Sequence, residues 1–406
     1  MTSSSTTAPL SLPASAPGAA RAVFHLLRGL RHGTLDVQLP DGSAAHFGTA
    51  DAGGPRAAIR LRNWNACSAA LKSGDIGFAE SYIAGDWTTP DLAALLTLLV
   101  ANRDEIEAIV YGSWWGSLLF RVRHLFNRNS REGSQKNIHA HYDLGNQFYR
   151  LWLDPTMNYS SAWFEGDHSG DLVHAQWAKV RRALAECGVQ PGDRVLEIGC
   201  GWGALAECAA REFDAPVTGV TLSTEQLAWA QRRLADAGLP GTLRYQDYRD
   251  IADGPYDAIA SIEMFEAVGR EYWPSYFETL QRQLKPGGRA CIQSITIRDD
   301  LFERYVKSTD FIQQYIFPGG LLPSPNAFRT AAAKAGLVVV NELAFGLDYA
   351  ETLRRWRVAF QGQDGPVRKL GFDTRFVRTW EFYLAYCEAA FLTGNTSVMQ
   401  FTLQRA

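Results

Sequence analysis

The segment "DRVLEIGCGWGALAECAAREF", residues 193–213, constrains the fold more than any other. Val195, Leu196 and Ile198 make a run apolar enough for a strand buried on both faces; three glycines follow at alternate positions, and a helical period begins at once. Gly199, Gly201 and Gly203 allow a tight turn into the helix and let the backbone approach a ligand at its N-terminus. From about residue 175 strand and helix patterns alternate, which predicts a doubly wound α/β domain. The spacing is GxGxG rather than GxGxxG. The second strand, in "PVTGVTLSTEQ", ends in Thr221, Leu222 and Ser223 rather than in the acid a dinucleotide ribose requires. A nicotinamide cofactor is therefore disfavoured.

Glu197, directly before the glycines, suits the amino group of a methionine-type cofactor, and "YQDYRD" (Tyr245 to Asp250) follows a third strand where an adenine edge would lie. The order predicts a Rossmann-like class I methyltransferase domain that binds S-adenosylmethionine; the plainer reading is a strand-turn-helix with no ligand. "LKPGGRACIQSITI" supplies a later turn and strand. "SIEMFEAVG", residues 261–269, sets the chemical question, because Glu263 and Glu266 stand where a buried strand runs out. A buried carboxylate without partners would cost several kcal/mol. For Glu266 the plainer reading is an acid at a helix N-terminus, offsetting the macrodipole.

The 406 residues exceed one ordinary core, and 46% hydrophobic residues can fill two. A net charge of −3 gives no basic field for nucleic acid. The six cysteines lack CxxC or Cys/His spacing, so neither a disulfide framework nor a metal site is expected. No apolar run reaches membrane-spanning length, and the first twenty residues lack the pattern of a signal peptide. Residues 1–20 read as a disordered tail. Residues 21–130 read as a smaller mixed α/β N-terminal domain with a linker helix, and 131–406 as the methyltransferase domain. Strands are expected at "TLDVQLPDGS" and "AAIRLRN" and a helix at "DLAALLTLLVANRDEIEAIV". Residues 112–131 interleave Trp114, Trp115 and Phe120 with Arg121, Arg123 and Arg128, as in a connecting helix or in an interfacial segment resting on anionic lipid.

The segments "HAHYDLGNQFYRLWLDPTMNYSSAWF", "VLEIGCGWG", "GVTLSTEQ", "SIEMFEAVG", "LKPGG" and "YIFPGGLLPS" resemble the cyclopropane-fatty-acyl-phospholipid synthase family, which includes the mycolic acid methyltransferases. The resemblance covers about residues 135–403. It implies methyl transfer from S-adenosylmethionine to a cis double bond in a membrane phospholipid acyl chain, giving a cyclopropane. It also implies a cytoplasmic protein, peripheral at the inner face of the membrane, with a homodimer left open. It places Tyr159, Ser160, Glu197, Gly199, Gly201, Gly203, Thr221, Leu222, Gln226, Gln246, Asp247 and Glu263 at the cofactor. Glu266, Tyr383, Gln293, Ser161 and His141 go to the chemistry, with Glu266 and Tyr383 beside a bicarbonate ion.

Two positions depart from the family pattern. Ser161 in "YSSA" stands where the best-described members carry cysteine, and Gln293 in "CIQSITI" where they carry histidine. Each keeps hydrogen-bonding capacity but removes a thiol or an imidazole. The expectation is an enzyme that does not rely on bicarbonate, whose base is Glu266 or a water held by Gln293 and Tyr383. Methyl-branched or methylene products, methylation of a small molecule on O or N, and binding without turnover are the alternatives.

Overall fold

A computed structural model describes residues 12–49, 54–106 and 144–405, which lie in two compact units, Met1–Leu119 and Phe120–Ala406. His141 and residues 112–131 lie outside the described residues.

In the first unit, α1 (Gly18–Leu27), β1 (Thr34–Gln38), β2 (Ala44–Gly48), β3 (Arg56–Leu61), α2 (Asn65–Ala84), β4 (Trp87–Thr88) and α3 (Leu92–Ala101) follow in order. The sheet order is β2-β1-β3-β4, with β1 parallel to β3 and antiparallel to β2. The two expected strands are β1 and β3. The Asp41-Gly42 turn closes a hairpin onto β2, with Gly42 at φ 87°. Alternation buries Leu35, Val37, Ala45 and Phe47, and Phe24 of α1 packs edge-on against Phe47 at 5.4 Å. The opposite face carries exposed Asp36, Gln38, His46 and Arg60.

The second unit is the expected α/β domain. Its elements are α4 (Leu172–Glu186), β5 (Val195–Ile198), α5 (Ala204–Glu212), β6 (Val217–Thr221), α6 (Thr224–Asp236), β7 (Gly241–Tyr245), β8 (Tyr256–Ile262), α7 (Trp273–Gln283), β9 (Leu284–Ile297), α8 (Pro325–Lys334), β10 (Leu337–Ala344), α9 (Gly346–Gln361), α10 (Thr374–Leu392) and β11 (Thr396–Arg405), with shorter helical turns between them. The seven strands run in the order β10-β11-β9-β8-β5-β6-β7. The five from β9 to β7 are mutually parallel, and β11 is antiparallel to both β9 and β10. Every residue of β5 is buried, as a strand flanked by parallel neighbours and covered on both faces requires. One face packs Val180, Leu184, Leu205 and Leu234 from the early helices. The other packs Phe277, Leu280 and Phe328 against Phe401. Strand order reverses between β5 and β8, so their carboxyl ends open a crevice where ligands of such sheets bind.

Candidate active site

The glycine loop after β5 lines one cavity in this crevice, together with Tyr159, Ser160, Glu197, Thr221, Leu222, Gln226, Gln246, Asp247 and Glu263. The three glycines do different work. An added Cβ at Gly199 would lie 2.9 Å from Met264 Cγ, and one at Gly203 2.9 Å from Ala230 Cβ, so both positions are fixed by packing. Gly203 does not line the cavity; it is the N-cap of α5. At Gly201, with φ +49°, a Cβ would meet no protein atom within 4 Å. Glu197 Oε2 is buried with no hydrogen-bond partner, and burial pushes its carboxyl well above the usual range. An orphaned carboxylate oxygen beside a glycine cradle fits a ligand that brings a cationic amino group. Asp247 accepts from the backbone N–H and the guanidinium of Arg249, which fix its carboxylate at the cavity edge.

A second cavity, of about 200 Å³, is lined by Ile295, Tyr305, Ile312, Phe317, Leu321, Leu353, Tyr383 and Phe391. It shares Tyr159, Glu263 and Ala267 with the first. The Tyr159 and Tyr383 hydroxyls are 2.7 Å apart. An apolar, aromatic-walled space fits an acyl chain and can stabilise a cation on it.

Glu263 stands where the two cavities meet. Its backbone is held at φ 51° while its N–H donates to Gln293 O at 2.8 Å. Ser161 N–H and Gln293 Nε2 both donate to Oε1 at 2.8 Å, and the Tyr349 hydroxyl donates to Oε2 at 2.6 Å. The amide of Gln293 is itself oriented: Arg182 donates to Gln400 Oε1 at 2.6 Å, and Gln400 Nε2 donates to Gln293 Oε1 at 3.0 Å. Burial raises the proton affinity of Glu263, but Lys179 and the three donors oppose this. Glu266 accepts the Ile295 N–H on Oε1, its own N–H and the Ser294 side chain oppose the rise in its proton affinity, and its buried Oε2 has no partner. Burial and the neighbouring Glu263 push Glu266 up to about 8. Donors on both oxygens and a nearby cation at Glu263, against an Oε2 without a partner at Glu266, decide the pair: Glu263 carries the charge and Glu266 the proton.

That assignment gives a stability prediction. Between 4.5 and about 8 the folded protein keeps on Glu266 a proton the unfolded chain has released. This stabilisation is complete below that window and is lost as pH rises through it. Glu266→Gln cannot ionise. Its Tm should exceed that of the wild type by several degrees at the top of the window, and the gap should close at the bottom, as read by scanning calorimetry.

Other expected site residues fall into place differently from their sequence reading. Ser161 is fully buried, but its hydroxyl donates to Ala162 O, and the backbone N–H is what reaches the acid. Gln293 donates to Glu263, and the Tyr383 hydroxyl is paired with that of Tyr159. Glu266 lies in a three-residue 3₁₀ turn and caps a strand amide, so it is no helix-terminal acid. Tyr349 and Lys179 are the residues sequence reasoning missed. A tyrosine at helical spacing reads as core, and a lysine followed by Arg181 and Arg182 reads as a solvated face. Among the described residues no cluster could hold a metal ion, and no helix is long and apolar enough to cross a membrane.

The model of the mycolic acid cyclopropane synthetase family matches residues 129–401. The tuberculostearic acid methyltransferase of Mycobacterium tuberculosis is 40% identical over 97% of this chain and 93% of its own length. The cyclopropane-fatty-acyl-phospholipid synthase of Escherichia coli is 34% identical over 88% and 90%. Among solved structures, a mycolic acid cyclopropane synthase complexed with SAH and CTAB is 34% identical and superposes with a TM-score of 0.63, covering 67% of this chain and 98% of that one. With the glycine cradle, the orphaned Glu197 and the adjoining aromatic cavity, these matches show that the chain belongs to the mycolic acid cyclopropane synthetase family of S-adenosylmethionine-dependent methyltransferases.

Proposed function

We propose that this enzyme methylates the cis double bond of an unsaturated phospholipid acyl chain, that Glu263 is the base, and that the product is a methylene-branched chain (C=CH2) rather than a cyclopropane. The observation that carries this reading is the Glu263 carboxylate itself. It occupies a nest of three donors at the junction of the two cavities, so the chain supplies its own anion where the family resemblance implies bicarbonate.

S-adenosylmethionine, when bound, supplies an electrophilic methyl group on a sulfonium. Glu197 is assigned to its amino group, Tyr159 and Ser160 to its carboxylate, and Gln246 and Asp247 to its adenine. The aromatic wall excludes water and faces the cation left on the chain once the alkene π pair has made the new C–C bond. Two fates then compete. If the methyl loses a proton at once, its C–H electron pair closes a three-membered ring. If hydride first shifts from the methylated carbon to its neighbour, a more stable tertiary cation forms, and loss of the same methyl proton leaves C=CH2. In either case the proton goes to a Glu263 oxygen. Lys179 and the three donors hold the Glu263 carboxylate in place and limit the rise in proton affinity that burial gives it, which gives the hydride shift time to win. The 40% identity to a tuberculostearic acid methyltransferase over nearly the whole chain supports the branched outcome.

The test is incubation of the full chain with S-adenosylmethionine and vesicles of oleoyl phospholipid, followed by proton NMR of the extracted lipid. Resonances of the branch =CH2 protons are expected; high-field cyclopropane resonances as the main product would overturn the assignment. Residues 112–131 are the proposed membrane contact, so vesicle binding should weaken with salt, and residues 21–130 are proposed as an accessory domain.

A further inference from the structure

We infer that Lys179 is a positioning residue for Glu263: this buried cation keeps that carboxylate ionised while the adjacent Glu266 stays protonated. The inference rests on the reading of Glu263 as the base. Lys179 is 0% exposed in the middle of α4, and its Nζ donates to Ser160 Oγ at 2.6 Å. A hydroxyl alone does not compensate an ammonium removed from water, so a negative charge must lie close by.

Three carboxyls surround it: Glu263 at the end of β8, Asp154 in the loop before Tyr159, and Glu197 on β5. Burial pushes all three upward, but Asp154 and Glu197 each have one oxygen without a partner. Only Glu263 has donors on both oxygens. It is therefore the carboxylate that answers Lys179. The groups facing Glu263 are Lys179 from α4, Glu266 from its own turn, Gln293 from β9, Tyr349 from α9 and the Ser161 N–H. Lys179 is the one cation among them and the largest influence opposing the effect of burial on Glu263.

A second link runs through hydrogen bonds on either side of the Ser160–Ser161 peptide bond. Lys179 holds the Ser160 side chain, Gln176 Nε2 on the same helix holds the Ser160 carbonyl at 3.0 Å, and the next N–H along the chain, that of Ser161, holds Glu263. One helix thus clamps the loop that presents a donor to the base and supplies the charge that keeps the base ionised.

Lys179→Met removes the charge at nearly constant volume, and Lys179→Gln removes it while keeping a donor for Ser160. In the ligand-free full chain, both should show a new protonated-carboxyl stretch in the infrared difference spectrum, and adding Glu263→Gln should erase it. In turnover assays the alkaline-rising limb of the rate should move up by at least about one pH unit, a tenfold loss at a fixed pH on that limb. A spectrum with no Glu263-dependent band in either variant would overturn the inference. So would loss of the folded state in both, because the inference has Glu263 take up a proton once Lys179 is neutral, which leaves no buried charge unpaired. If Glu263→Gln alone leaves turnover intact, the base assignment falls, and the infrared result still decides what Lys179 does.

Discussion

Glu263→Gln should abolish lipid methylation, with a loss of about 10²–10⁴-fold, while S-adenosylhomocysteine binds within a few-fold of wild type. The amide matches the carboxylate in size and keeps an oxygen for one or two of the three donors, so the loop carrying Ser161 and the helix carrying Tyr349 stay in place. It cannot accept the methyl proton, and it no longer places a negative charge beside the cation on the chain. Both losses act on the transition state and not on cofactor binding, so the effect belongs in kcat. A Glu263→Gln protein that still turns over at more than a tenth of the wild-type rate would exclude Glu263 as the base.

Gly201→Val should weaken cofactor binding by more than about a hundredfold, equivalent to ~3 kcal/mol. The position lines the cofactor cavity and has no protein atom within 4 Å of an added Cβ, so a side chain there meets the ligand rather than the fold. A β-branched residue at φ +49° also adds about 1–3 kcal/mol of backbone strain, which lowers Tm. Gly201→Ala carries less strain and separates the two effects. Calorimetric titration with S-adenosylhomocysteine should show the affinity loss in both variants, larger for Val. Unchanged affinity in a folded variant would remove the glycine loop from the cofactor site.

The parallel sheet and its crevice are legible in the sequence because they follow from local pattern: an apolar strand, alternate glycines and a helical period. The separate reasons for the glycines are not legible. Gly199 and Gly203 answer to Met264 and Ala230, which lie on other elements of the fold. The partners of Glu263 were hidden for the same reason. Ser161, Gln293 and Tyr349 are 102, 30 and 86 residues away in sequence, and only the folded sheet brings them to one carboxylate. The sequence does raise the right question at "SIEMFEAVG". It points to Glu266 as the base, whereas donors on both oxygens and a nearby cation point to Glu263. Lys179 escapes because its helix looks amphipathic in the ordinary way, with Lys179, Arg181 and Arg182 together; packing against the Ser160 loop buries the first and leaves Arg181 at the surface. The exchange of cysteine for Ser161 has little chemical consequence, since the main-chain N–H does the binding.

Glu263→Gly tests directly the proposed replacement of an external anion by an internal carboxylate. Glycine suits φ 51° better than glutamate does, and it leaves the Ser161 N–H, the Gln293 amide and the Tyr349 hydroxyl around an empty, anion-sized space. Wild type and Glu263→Gly are assayed for lipid methylation in carbonate-depleted buffer while bicarbonate is titrated back. The predicted result is a wild-type rate indifferent to bicarbonate and a nearly inactive variant whose activity returns saturably as bicarbonate is added. A strong, saturable requirement for bicarbonate in the wild type would contradict the claim.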